Sequence, residues 1–255
     1  MEPERIQPER IKFEVGNLYS SGLHSLMDRF PADECFIMDL LDCPMKFSMG
    51  KLPGLTALSN LFLLYIIARQ YNEEGKNILE IGTNRGKSSY TMATAAPLAN
   101  LTSLEIYREN WLIAKRIHET GYVAEFITVP PVKTNLLLAD SVEYLANYKG
   151  PKLDMIFVDG DHFEGALLDA EWWNWLNIGG CILFHDAHGM FPHVKEAVTR
   201  LEKLTGREPD VWLRTDYCIA GFYKEEGDKE WEIEESSTPP STKAVQEKRL
   251  SQLNS

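Results

Sequence analysis

Ile78-Leu79-Glu80-Ile81-Gly82-Thr83-Asn84-Arg85-Gly86-Lys87-Ser88-Ser89 is the stretch that decides the fold of this chain. Ile78–Ile81 reads as a short buried strand, and Lys87–Thr94 opens a helix. Gly82 and Gly86 between them permit a tight turn and a close approach of a ligand to the backbone. The first amides of the helix then point into that loop. The glycine spacing is G-x-x-x-G. A dinucleotide site requires G-x-G-x-x-G and a P-loop G-x-x-x-x-G-K-[ST], of which Gly86-Lys87-Ser88 imitates only the end. By itself the glycine pair is equally consistent with a structural turn. Glu80 adds a reason to look further, because a carboxylate inside an apolar strand needs partners, here loop amides or a ligand ammonium. Val at position 82 is expected to fill the ligand pocket with a branched side chain.

Working outward, short apolar strands alternate with amphipathic helices. The pattern predicts strands at 101–106, 135–139, 153–158 and 181–184, with helices at 108–120, 142–148, 163–176 and 193–204. Residues 54–71 read as an apolar helix ahead of the first strand. Residues 121–133 read as an irregular connection with a short edge strand at 124–128. Segments 211–214 and 218–223 read as a closing hairpin. All-apolar strands between helices indicate an α/β fold with a parallel sheet covered on both faces. Residues 1–53 are expected to form a charged arm with a helical cap around 18–30. Residues 54–224 form the main domain, and 225–255 an acidic, disordered tail.

Ligands of such sheets bind at the carboxyl ends of the strands. The second strand ends at Glu105, where an acid accepts from ribose hydroxyls in nucleotide folds or merely caps a helix. The third ends at Asp140-Ser141, an ordinary helix cap that is also placed to meet an adenine edge.

The net charge is −12, and residues 225–235 (EEGDKEWEIEE) hold seven acids and one Lys. Such a surface argues against general nucleic-acid binding. No apolar leader is visible at the N-terminus, and the apolar run Leu61–Ala68 is far short of the ~20 residues that span a bilayer. A cytoplasmic protein without membrane partners, with Cys35, Cys43, Cys181 and Cys218 as thiols, is the expectation. The Asn100-Leu101-Thr102 sequon is then a chance match.

These residues resemble those of the class I S-adenosylmethionine-dependent methyltransferases. Glu80–Gly86 looks like that family's first motif, Glu105 like its ribose acid, Asp140-Ser141 like its adenine position, and Asn177-Ile178-Gly179-Gly180 like its turn before the fifth strand. Phe157-Val158-Asp159-Gly160-Asp161-His162, Trp172-Trp173 and Phe184-His185-Asp186 narrow the likeness to the small-molecule O-methyltransferase branch with macrolide-sugar and catechol-type members. The resemblance implies a Rossmann-like seven-stranded sheet in the order 3-2-1-4-5-7-6 with the last strand antiparallel. It also implies S-adenosyl-L-methionine held by Glu80, Gly82, Thr83, Asn84, Gly86, Ser88, Glu105, Asp140, Ser141 and Asp159, and a small-molecule acceptor.

Asp159 and Asp161 close the fourth strand and Asp186 the fifth. Adjacent strands lie ~4.8 Å apart, so these carboxylates converge and suit Mg²⁺ or another divalent cation. Metal-dependent relatives use the Asp159 position and an acidic or Asp-Asn pair on the fifth strand, which this chain replaces with either His185-Asp186 or Asp186-Ala187. Asp159, Asp186 and His185 are the candidate ligands, and a nitrogen donor favours a transition metal. Asp161 or His162 is the candidate base. Trp172, Trp173 and Trp175 cannot all face one side of a helix, so a share of them could serve a homo-oligomer contact. An NAD-dependent oxidoreductase lacks its glycine pattern here. A metal-dependent hydrolase using the Asp/His cluster and a non-catalytic S-adenosylmethionine-binding protein remain the alternatives.

Overall fold

In a computed structural model the described residues are 13–14, 56, 58–124, 127–187, 190–213 and 218–232. The expected helix at 18–30 and residues 233–255 lie outside them. Helix α1 (Leu58–Arg69) precedes the repeating strand–helix units. These run β2 (Asn77–Ile81), α2 (Lys87–Ala95), β3 (Asn100–Glu105), α3 (Arg108–Thr120), β6 (Asn135–Leu138), α4 (Ser141–Ala146), β7 (Leu153–Val158), α5 (Glu164–Asp169), β8 (Leu176–His185) and α6 (Pro192–Thr205), then β9 (Val211–Leu213) and β10 (Ile219–Tyr223). A two-residue strand, β1 (Phe13–Glu14), precedes them all, and β4 (Tyr122–Ala124) and β5 (Ile127–Thr128) lie between α3 and β6.

The sheet order is β1-β9-β10-β8-β7-β2-β3-β6. Without β1, and numbered along the chain, that is the expected 3-2-1-4-5-7-6. Only β10 runs against its neighbours, pairing antiparallel with both β8 and β9. The additional strand β1 pairs parallel with β9 at the edge, so residues 13–14 of the supposed arm belong to the sheet.

Alternation along the strands assigns side chains to two layers. Met155 and Phe157 of β7 and Cys181 and Leu183 of β8 pack with Leu61, Leu64 and Ile67 of α1 and Met92 of α2. Ile156, Val158, Ile182 and Phe184 pack on the other face, with Trp172, Trp173 and α6. That parity has a consequence at the strand ends. Asp159 and His185 continue the first series, so both emerge on the α1 side.

Four expectations need correction. The 124–128 segment is not an edge strand of the main sheet: β4 and β5 form a separate antiparallel ribbon. The 163–176 helix breaks after Asp169 into a 3-10 helix, Ala170–Trp175. Its three residues per turn bring Trp172 and Trp175 to the same side, where both pack on Tyr148 at 5.1 and 4.7 Å. Trp172 and Trp173 are fully buried within the chain, so neither is at a subunit contact. Strand β8 starts at Leu176, and Asn177–Gly180 is a bulge within it, the pairing jumping from Leu153↔Leu176 to Met155↔Cys181. Finally, the acidic segment packs as far as residue 232. Trp231 is buried and exchanges two hydrogen bonds with Asn174. Arg207 pairs with Asp228 at 2.7 Å. The apolar Trp within the acidic run, and the arginine facing it, outweigh its composition. Among the described residues no helix is long and apolar enough to cross a membrane.

Candidate active site

The loop after β2 is held from inside. Gly82 and Thr83 both donate their amides to Leu104 O at 3.0 Å, Gly86 N donates to Thr83 O at 2.9 Å, and Asn84 N donates to Glu105 Oε2 at 2.6 Å. These four amides are spent on the protein. Both glycines are required by packing. Gly82 has φ +92°, and a Cβ there would lie 2.2 Å from Asp159 O; the side chain of a valine would strike β7 rather than fill a ligand pocket. Gly86 has φ +87°, and its Cβ would lie 2.8 Å from His118 Nε2 and 2.9 Å from Ala114 Cβ on α3. Asn84 takes φ +50° without being glycine, a left-handed placement that Asn tolerates. Lys87 does not act as a P-loop lysine: its Nζ bonds Thr56 O at 3.0 Å.

Glu80 is fully buried. Its Oε2 accepts from Ser103 Oγ, which in turn meets Thr83 Oγ1, and its Oε1 has no partner among the described residues. Burial pushes its carboxyl up to about 7, with the Ser103 and Ser88 hydroxyls offsetting part of the effect. Through Ser103 and Thr83 this carboxylate ties the loop to β3. Glu105 is nearly as buried, and its carboxyl is raised by burial, less so because Tyr107 N and Asn84 N donate to it. Each of its oxygens accepts one backbone amide and keeps a lone pair for a further donor. Asp140 caps α4, its Oδ1 accepting from Val142 N and Glu143 N, with Ser141 buried behind it.

At the ends of β7 and β8 four side chains converge. Donor atoms of Asp159, His162, His185 and Asp186 all lie within 4.8 Å of one another. His185 Nδ1 is 2.9 Å from Asp159 Oδ1 and 3.1 Å from Asp186 Oδ2, and His162 Nε2 is 2.7 Å from Asp186 Oδ2. Burial would lower the His185 imidazole, but the two carboxylates outweigh it and push it up to about 10. His162 is likewise raised, burial being overcome by Asp186 and Asp159. Burial would raise Asp186, but its bonds to the two imidazoles hold its carboxyl well below the usual range. Asp186 stands at φ +56°, which folds its side chain back towards the cluster.

Asp161 does not join them. Its Oδ1 accepts from Phe163 N and its Oδ2 from Gly165 N, both at 3.1 Å, across the start of α5. Of the two candidate bases the structure brings only His162 to the cluster, with the Phe191 ring at 4.5 Å. Three participants escaped the sequence reading: Ser103, Phe191 and Asn60, whose Nδ2 lies 2.7 Å from His185 Nε2. Asn60 and Ser103 carried a signal, being single polar residues in apolar segments. Phe191 carried none.

Residues 79–187 match the family model described as a methyltransferase domain. A protein of Mycobacterium sp. (strain JLS), described as a "Putative O-methyltransferase", is 28% identical over 127 residues, 49% of this chain and 54% of that protein. The chain thus spans about half the length of the curated relative it matches. Among solved structures, the O-methyltransferase from Bacillus cereus in complex with SAH is similar at TM-score 0.50 and 21% identity, covering 81% of this chain and 92% of the other. The O-methyltransferase TomG from Streptomyces achromogenes, involved in tomaymycin synthesis and solved with SAM, also gives TM-score 0.50 at 21% identity, with 67% and 82% covered.

The fold is therefore that of the class I, S-adenosylmethionine-dependent methyltransferases. Within it, residues 79–187 match the methyltransferase-domain model, and the curated relative is described as a putative O-methyltransferase.

Proposed function

We propose that the protein transfers a methyl group from S-adenosylmethionine to a hydroxyl of a small acceptor, with a divalent cation beside the acceptor. One observation carries the reading. Gly82 sits so close to Asp159 that no side chain fits between them, and Asp159 in turn contacts His185. The loop that would hold the cofactor and the Asp/His cluster therefore share one wall. Glu105, Asn84 and the start of α2 supply the acceptors and donors that ribose hydroxyls and a carboxylate group need, and Thr83, Gly86, Ser88, Asp140 and Ser141 shape the rest. The cofactor supplies an activated methyl on sulfur. The chain aligns sulfur, methyl and acceptor oxygen and excludes water.

Two imidazoles and two carboxylates form a fitting donor set for a divalent cation. Asp159, Asp186 and His185 would hold it, and it would lower the pKa of an acceptor hydroxyl. His162 lies at the rim, its side chain 25% exposed, and takes the acceptor proton. Asp186 stabilises the imidazolium that results. The raised imidazole means that this base works above the ordinary imidazole range, not at pH 6.5. The acidic charge supports a small-molecule acceptor over nucleic acid.

The test is methyl transfer from labelled S-adenosylmethionine to a panel of hydroxylated acceptors. His162→Ala is expected to cut the rate by ~10²–10⁴, with partial recovery at high pH. Chelator is expected to abolish turnover without releasing cofactor. Full turnover in chelator removes the cation from the mechanism, and full turnover by the variant removes His162.

A further inference from the structure

Strand parity sends His185 to the α1 face, and what it meets there is unusual. Helix α1 is apolar along its buried side, with Leu61, Leu64 and Ile67 fully buried. Asn60 is fully buried among them. Its amide meets the His185 ring at Nε2, 2.7 Å away, while Phe157 stands edge-on to the same ring at 6.1 Å. The opposite nitrogen, Nδ1, faces Asp159 and Asp186. Both ring nitrogens are thus assigned, one to the helix and one to the carboxylates.

We propose that Asn60 is a positioning residue that pins His185 by Nε2, so that Nδ1 is the nitrogen turned to the Asp159–Asp186 pair and to any cation held there. The inference rests on the cation reading above only in that last clause.

An amide serves this role for a chemical reason. A primary amide carries both an acceptor oxygen and donor hydrogens, and which end faces a ring is set by the hydrogen-bond network. With the NH₂ group turned to Nε2, the ring is neutral and its proton lies on Nδ1, between the carboxylates. With the oxygen turned to Nε2–H, Nδ1 can carry a proton or give its lone pair to a cation. Asn60 therefore keeps a partner on Nε2 whether Nδ1 holds a proton or a metal. Leucine, of similar volume, would take this partner away from the buried ring. Partners of this kind on the far side of a metal-bound histidine typically contribute 10–100-fold in metal affinity.

The test uses the full chain and two variants, Asn60→Leu and Asn60→Asp. The first readout is the ring ¹⁵N spectrum of His185 in metal-free protein at pH 11, above the value of about 10 to which the carboxylates raise this ring, assigned with His185→Gln. The wild type should give one set of ring signals with a hydrogen-bonded Nδ1 proton. Asn60→Asp, which can only accept, should keep one set and shift Nε2 towards the protonated position. Asn60→Leu should give shifted or exchange-broadened signals. The second readout is titration with Co²⁺ by visible absorption. The expectation is a 10–100-fold weaker Kd for Asn60→Leu and no weakening for Asn60→Asp, with S-adenosylhomocysteine affinity unchanged in both. An unaltered His185 spectrum in either folded variant overturns the proposal. If the wild type takes up no Co²⁺ while the spectra behave as stated, the cation reading fails and the positioning role stands. Should Asn60→Leu not fold, the Nε2 shift in Asn60→Asp decides alone.

Discussion

Asp186→Asn isolates the charge at the centre of the cluster. Asn is among the few residues that tolerate positive φ, so the backbone at +56° is kept and the side-chain shape preserved. What goes is the negative charge that holds His162 at 2.7 Å and His185 at 3.1 Å. Breaking a buried charge pair costs ~3–5 kcal/mol. Here His162 is a quarter exposed and can release its proton to water, and the amide oxygen still accepts one bond, so about 2–3 kcal/mol is the reasonable figure. For a domain of this size that lowers Tm by roughly 5–10 °C.

The pH dependence has a definite sign. His185 is raised to about 10 from an ordinary ~6.5, so its contribution is full below pH ~6.5 and drains away as pH rises through about 10. Asp186 is depressed, so its contribution is present above the unfolded value of ~3.9 and is lost only as pH falls below it. Urea unfolding of metal-free wild type and variant should therefore show the widest gap between about pH 4.5 and 6.5, closing by about pH 11. A gap under about 0.5 kcal/mol at pH 6, or one as wide at pH 10.5 as at pH 6, would refute the charge reasoning.

Two further outcomes follow from packing. Gly82→Ala places a Cβ 2.2 Å from Asp159 O at φ +92°, so strain and overpacking together should cost roughly 3–5 kcal/mol; an unchanged Tm would show that β2 and β7 are not locked there. Truncation after Glu225 removes the buried Trp231 and the Arg207–Asp228 pair. The expected loss is ~3 kcal/mol or more, read as a Tm fall of several degrees, and a truncated protein as stable as the full chain would return the segment to a loose tail.

Most of the sheet was legible because each strand is a short apolar run set between amphipathic helices, and strand ends gather ligand residues by topology alone. The meeting of Asp159, His162, His185 and Asp186 at neighbouring strand ends was legible that way. The 3-10 break after Asp169 was hidden, since Ala170–Trp175 has no helix-ending glycine or proline. The docking of 225–232 was hidden by composition: six charged side chains obscured one tryptophan that fills a gap against Asn174. Asp161 was misassigned because sequence shows which residues share a loop but not that one of them turns to cap α5. The sequence marks Gly82 and Gly86 as turn glycines, but the neighbours that forbid a side chain there lie just past β7 and on α3, distant in sequence.

In the proposed function the β2–α2 loop, closed by Glu105, holds the methyl donor. Calorimetric titration of S-adenosylhomocysteine into wild type and Glu105→Ala, side by side, tests this. The expected result is one site per chain in the wild type and a loss of ~1–3 kcal/mol, about 5–150-fold in Kd, in the variant. No heat of binding in folded wild type, or equal affinity in the two proteins, would contradict it.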